Sequence, residues 1–317
     1  MSFRKYKIVY RAYNFFKRGE LKHNIPLYKK YGLKKKYFSS VSSEDFRQLS
    51  SPLNIYDAQD SSTAMPNNAD FNSLESEIKS SLLSWSKNGY VILKNFFSEQ
   101  DVDLCNEEIN ALIESKKVKF RYGSKIMFAF HHSKLLKSMG EDERLVKILN
   151  LIMGKKVELF QSINFLKGSQ QKTHSDSIHM TTFPYGNLIA VWVALEDITA
   201  DSGPLHYYPG SQKLPYVMNR EFGNIGTKHK LGAKNYNHYE DHIEGMLEKS
   251  DLKKDIFIAK KGDVLIWHAN LLHGGEKVLD ENSTRKSMVF HYYCEGSICY
   301  HEITQRPTLK PKVKPIS

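Results

Sequence analysis

No stretch of 18 apolar residues occurs anywhere in the chain, so no segment reads as a membrane-spanning helix. The N-terminus lacks the short apolar core of a secretory signal, and the expectation is a soluble cytoplasmic protein. Cysteine is scarce: Cys105, Cys294 and Cys299 cannot all pair, and no second Cys or His pair completes a zinc site around the last two. There is no internal repeat, no Gly-rich phosphate loop and no G-x-S-x-G elbow, so nucleotide-loop and serine-hydrolase chemistry find no footing. Acidic residues are nearly missing from the front of the chain. Residues 1–36 carry twelve Lys/Arg against the single acid Glu20, a balance equal to the whole formal net charge of +11, and the remaining 34 basic and 34 acidic residues cancel.

A basic arm on a neutral body argues against nucleic acid as the partner of the globular part and for an anionic surface. If Phe3 to Lys17 is helical, Ile8, Ala12, Phe15 and Phe16 fall near one face with most basic residues elsewhere, the pattern of an interfacial helix. Peripheral contact with an anionic membrane is one reading; docking on the domain, organelle targeting and nucleic-acid contact are the others.

The chain divides into an arm (1–38), a Ser/Asn/Asp/Pro-rich linker or loop (39–72), a domain (73–300) and a C-terminal tail (301–317). Leu74, Ile78, Leu82 and Trp85 recur at helical spacing before Asn88-Gly89 breaks the pattern, and Tyr90-Val91-Ile92-Leu93 reads as a buried strand. Ser98 with Asp101 starts a second helix, and a third around Asp142 to Met153 ends at Gly154. Beyond Gly154 come short strand candidates: Val157–Leu166, Leu188–Leu195, Leu205–Tyr208, Asp255–Ile258, Asp263–Trp267 and Met288–Cys294. The expected class is α+β with a mainly β core, a double-sheet jelly roll or barrel flanked by N-terminal helices. Residues 217–254 break the rhythm and read as a long insertion of the kind that forms lids.

Within the β-rich half, His174-Ser175-Asp176 follows a strand, and the single intervening residue lets imidazole and carboxylate face one ion. His273, beyond the strand Asp263–Trp267, supplies a third ligand. Two His and one carboxylate on one face of an octahedron leave three positions open, the arrangement suited to Fe(II) oxygenases that bind a bidentate cosubstrate and O2. A chelating 2-oxoacid then leaves its far carboxylate in need of a buried cation. Arg285, twelve residues after His273, can clamp it bidentately where Lys286 would do so less well. His268 competes for the ligand role, but Gly274-Gly275 permits close backbone approach and favours His273. By strand parity His291 faces as Arg285 does, either lining the substrate pocket or filling the barrel. His131, His132, His179 and His206 read as structural or as supports. The plainer alternative has His273 capping a strand and Arg285 pairing with Asp280 or Glu281.

Other stretches extend the pattern. Asn88-Gly89-Tyr90-Val91-Ile92 leads into Phe96-Phe97-Ser98, Asp201-Ser202-Gly203-Pro204-Leu205 precedes Pro209-Gly210-Ser211, and Gly262-Asp263-Val264 comes before His273 and Arg285. With His174-Ser175-Asp176 these resemble, over about residues 73–295, the phytanoyl-CoA dioxygenase family, Fe(II)- and 2-oxoglutarate-dependent oxygenases with a cupin-like double-stranded β-helix core.

The resemblance implies that His174, Asp176 and His273 ligate iron and that Arg285 binds 2-oxoglutarate. Trp192 and Lys125 are similar to cosubstrate contacts, against core packing and a solvated charge as the alternatives. Gln161 and Asn164, polar on an otherwise apolar strand, are candidates to orient substrate and cosubstrate. Halogenating relatives have Ala or Gly where Asp176 stands, so the implied reaction is hydroxylation of an aliphatic C–H, with release of succinate and CO2 and with ascorbate as an accessory reductant. Two departures stand out. Gly275 occupies a position where Ser or Thr often bonds the oxoacid, and Arg285 lies one residue farther from the His than is common. The implied substrate is a small or lipid-linked molecule. Rival readings are a non-catalytic barrel that binds a ligand or membrane surface, and a cupin-like enzyme using another metal.

Overall fold

Eight strands frame the molecule in a computed structural model that describes residues 5–310. They are β1 (Tyr90–Leu93), β2 (Val157–Phe165), β3 (Leu188–Ala194), β4 (Leu205–Tyr207), β5 (Asp255–Phe257), β6 (Val264–His268), β7 (His273–Gly275) and β8 (Ser287–Cys294). Antiparallel pairing orders the larger sheet β1-β6-β3-β8-β2, which the ribbon Phe120–Arg121 and Lys125–Met127 continues; β7-β4-β5 forms the opposing sheet. This is the jelly-roll architecture expected from the strand-rich half.

Period-2 alternation explains the layering. Ile189, Val191 and Val193 of β3, Val264 and Ile266 of β6, and Met288, Phe290 and Tyr292 of β8 face one core. Helices α2 (Glu99–Glu114) and α3 (Glu143–Met153) cover that face with Val102, Cys105, Ile109, Leu145, Ile148 and Ile152; a shorter arm helix, α1, spans Lys7–Phe16. The alternate residues, Ala190, Trp192, Leu265, Trp267 and Val289, turn into the barrel. Both helix ends fall where the sequence predicts them: the Ser98 hydroxyl accepts from Asp101 N at 3.1 Å, and Gly154 adopts φ 60°.

Several expectations change. Residues 39–72 are packed chain, with short helices Ile55–Ala58, Ser61–Ala64 and Ala69–Asn72 that place Tyr56, Met65 and Phe71 in the main core. The helix expected from Phe3 begins at Lys7, and residues 1–4 lie outside the described residues. The tail is tied down at its start by strands Ile298–His301 and Arg306–Pro307, and residues 311–317 lie outside the described residues. The 217–254 insertion contains a 12-residue helix, α4 (Tyr236–Leu247). Among the described residues no helix is long and apolar enough to cross a membrane.

At the β5–β6 corner, buried Asp263 accepts from Lys94 Nζ at 2.7 Å, Asn95 N at 3.0 Å and Lys260 N at 2.9 Å. Gly262 beside it has φ +85°, and a Cβ there would collide with the Phe97 carbonyl oxygen. Gly262→Ala should therefore cost about 2–4 kcal/mol from left-handed strain plus overpacking, read as a lowered urea midpoint at unchanged m-value.

Candidate active site

His174 and His273 meet as an isolated antiparallel bridge: His174 N donates to His273 O and His273 N to His174 O, both at 2.9 Å. Bridged residues carry neighbouring side chains, and the two rings lie 4.6 Å apart. Asp176 opens the 3-10 turn Asp176–Ile178 directly after, with Oδ1 3.8 Å from His273 Nε2. One ligand atom from each of the three lies within 4.8 Å of the others, and all three residues are buried.

Both imidazoles are held in one tautomer. His174 Nδ1 is 2.8 Å from Lys172 O and His273 Nδ1 is 3.0 Å from Leu271 O; a carbonyl only accepts, so each Nδ1 carries the proton and each Nε2 keeps a lone pair. Burial would raise the Asp176 carboxyl, but His273, His291 and His174 together outweigh it and hold it far below the usual carboxylate range. Trp267 Nε1 donates to Asp176 Oδ2 at 2.8 Å, and His291 Nε2 lies 3.5 Å from the same oxygen.

The three residues open into a cavity of about 680 Å³, whose lining includes Lys125, Gln161, Trp192, Arg285 and His291. Its charged lining is two cations, Lys125 and Arg285, against Asp176 alone. Arg285 is only 3% exposed, donates from Nη1 to Ser287 Oγ at 2.8 Å, and packs over Phe165 and Trp192. Its Nε and the Trp192 Nε1 are buried donors without partners, and no carboxylate of the described residues lies within ion-pair distance of the guanidinium. Burial pushes its pKa down to about 10. Glu196 opposes that shift from beyond ion-pair distance; a buried cation with spare donors and no directly paired carboxylate is a place for an anion.

A family model described as phytanoyl-CoA dioxygenase (PhyH) matches residues 85–287. The chain belongs to that family. It is thus an oxygenase, and this family member is 25% identical over 237 residues to the ectoine dioxygenase of Stutzerimonas stutzeri (strain A1501), covering 66% of this chain and 74% of that one. Among solved structures, the non-heme alpha ketoglutarate dependent carbocyclase SnoK of nogalamycin biosynthesis superposes with a TM-score of 0.58 at 17% identity, over 72% of this chain and 87% of that chain. The EctD protein of S. alaskensis superposes with a TM-score of 0.55 at 17% identity, over 79% and 89%. Those two likenesses bear on the fold alone.

The geometry separates the remaining candidates. His268 is committed elsewhere: Nδ1 accepts from Asn270 N and Nε2 faces Asp57, so it does not take the place of His273 in the cluster. The reason given for Gly274 changes: a Cβ there would meet Gln171 O and His206, so the glycine makes room for those two and not for close approach to the His174-Asp176-His273 cluster. Lys125 donates to Gln171 Oε1 at 2.9 Å inside the cavity and is not a solvated charge. Asn164 is a correction. Gln161, Ile163 and Phe165 of β2 line the cavity, whereas Asn164 alternates to the opposite face beside Ile126 and Met288, where its amide atoms are buried without partners. The space beside Gly275 is taken by Ser169, whose hydroxyl would stand 2.8 Å from a Cβ at that position, so a cavity-lining hydroxyl is present from another strand connection.

Trp267, Tyr236 and Tyr239 were not foreseen. Tyr236 OH is 3.4 Å from Gln171 Nε2, and Tyr239 OH accepts from Ser175 N at 3.0 Å, so α4 braces the ligand loop from the insertion. Trp267→Phe leaves a buried carboxylate oxygen short of its donor, and Fe(II) affinity is expected to fall about 10–100-fold by competition with a chelator.

Burial depresses three histidines around the cavity: His174 to about 3, His301 to about 4, and His179 well below its ordinary value. In the unfolded chain each titrates near ~6.5, so below that pH the unfolded state binds more protons and stability rises with pH. The metal-free protein should show a thermal midpoint that is flat above about pH 7 and falls between about 6.5 and 4, each histidine contributing up to about 1.4 kcal/mol per pH unit.

Proposed function

We propose that the chain is an Fe(II)- and 2-oxoglutarate-dependent hydroxylase of an aliphatic C–H bond in a small or lipid-linked substrate, releasing succinate and CO2. Arg285 carries this reading, because a His-Asp-His cluster alone would suit several metals, whereas a buried guanidinium without a counter-ion is what a dicarboxylate cosubstrate requires. The donor set fits the ion. His174 and His273 offer Nε2 lone pairs already oriented by carbonyls, Asp176 offers an ionised oxygen, and all three sit on one side, leaving the cavity side open. Iron and 2-oxoglutarate bound there supply the oxidation, one atom of O2 entering succinate and the other the substrate.

The chain's own part is to hold and to exclude. Arg285, with Lys125 and the Trp192 indole, would take the far carboxylate of the cosubstrate. Trp267 and His291 keep Asp176 in place from behind. The substrate would occupy the part of the cavity lined by Gln161, Met180, His179 and His301, and Tyr236 would border it from the insertion. That the ectoine dioxygenase relative acts on a small molecule supports a small substrate here. Succinate release from protein supplied with Fe(II), O2, ascorbate and 2-oxoglutarate, in the presence of fractionated metabolites and lipids, tests the proposal. Retention of zinc with no succinate under any fraction would replace it with a different metal chemistry.

A further inference from the structure

Helix α1 is docked the wrong way round for a water-facing element. Lys7, Tyr10 and Asn14, spaced i, i+3 and i+7, form the side nearest the domain, and the buried Asn14 amide donates to Phe38 O at 3.1 Å. The opposite side is apolar. Ile8 is 73% exposed and Phe16 84% exposed, and Val9, Ala12 and Phe15 flank them in the open. A soluble helix normally buries its apolar stripe, so this one lacks a covering surface.

Along the arm that carries the stripe the exposed charge is almost all positive. Lys5, Arg11, Lys17, Arg18, Lys22, Lys29 and Lys30 are all exposed, and among the described residues of the segment only Glu20 opposes them, paired to Lys17 at 2.9 Å. The Arg18 guanidinium lies over the Phe15 ring, 4.3 Å from its centroid, so a cation sits directly beside the apolar side chains. An apolar stripe bordered by unopposed cations matches an acyl and headgroup boundary rich in negative charge better than it matches water.

The arm is also joined to the insertion that borders the cavity. Tyr6 and Lys230 form an isolated antiparallel bridge, Lys7 N donates to His229 O at 2.9 Å, and Leu231 N donates to Lys5 O at 2.9 Å. Tyr236, which lines the cavity, follows a few residues later.

We infer that the exposed face of α1 is a docking surface for a membrane leaflet carrying anionic phospholipids, with Ile8, Phe15 and Phe16 entering the interface and Arg11, Arg18 and neighbouring lysines meeting the phosphates. The inference is independent of the chemistry in the cavity. Its occupant is chosen by charge: a second copy of the chain would bring the same positive surface against itself.

Flotation of the full chain with phosphatidylcholine vesicles, with and without phosphatidylserine, tests it. The wild-type protein is expected to float with the serine-lipid vesicles at low salt, to release at high salt, and to stay behind with phosphatidylcholine alone. Ile8→Glu/Phe16→Glu should lose roughly tenfold or more of that binding, and Arg11→Glu/Arg18→Glu should lose it with the apolar face intact. These side chains are exposed, and an unchanged thermal midpoint shows that the variants are folded. Failure to float with anionic vesicles, equal binding to neutral ones, or binding unaffected by Ile8→Glu/Phe16→Glu overturns the inference. So does a concentration-dependent dimer in ultracentrifugation that this double variant abolishes, which would assign the face to a second copy.

Discussion

Asp176→Ala is expected to end substrate hydroxylation and to lower 2-oxoglutarate turnover by well over about 100-fold, because even the partners behind a metal ligand cost about 10–100-fold when removed. The carboxylate is the cluster's only anionic donor, and its loss also strands the Trp267 indole N–H that now ends on Oδ2. Succinate release measured across an Fe(II) titration checks this. Wild-type turnover by the variant would show that Asp176 is not a ligand. The metal-free variant should have a lowered thermal midpoint, since a buried indole N–H loses its acceptor at about 1–3 kcal/mol, but should still unfold cooperatively, and that transition separates a lost ligand from a lost fold.

Arg285 gives the second large effect, and it appears in KM before kcat. Arg285→Lys keeps a positive charge but not the planar fork, and the KM for 2-oxoglutarate should rise about 10–100-fold, the equivalent of one or two charge-assisted hydrogen bonds. Arg285→Met removes the charge and should raise KM further. Without cosubstrate, however, Arg285→Met should be no less stable than the wild type, because the guanidinium is buried with an unpaired Nε and no carboxylate beside it. Melting curves with 2-oxoglutarate make the contrast direct. At about a hundred times its Kd the cosubstrate should stabilise the wild type by about 2.7 kcal/mol and leave Arg285→Met unmoved at the same concentration.

The sequence made the large sheet legible because β3, β6 and β8 are long enough for alternation to show, and each alternate set does go to a different core. His174, Asp176, His273 and Arg285 were legible because they bracket those strands in a fixed order. Residues 39–72 were not, since each helix there has three or four residues and no period accumulates before it ends. Asn164 was misplaced although the means to place it were present: it stands three residues from Gln161 on one strand, and an odd separation cannot put both in the cavity. Trp267 was open to the same reasoning. It shares parity with Leu265, which faces the barrel, and an indole N–H enclosed there needs an acceptor. Tyr239 had no such signal, because its contact with Ser175 depends on how the insertion folds back.

The bridge between His174 and His273 bears on how loading and folding relate. In small zinc modules the ion joins distant ligands and thereby closes the chain, so binding and folding are one event. Here the two imidazoles, about 100 residues apart in sequence, are already clasped backbone to backbone and fixed in rotation by Lys172 O and Leu271 O. The loop-closure entropy is spent by the sheet before an ion arrives. A chelator should therefore empty this centre without unravelling it, and the ion's affinity is left to answer to ligand basicity and access from the cavity.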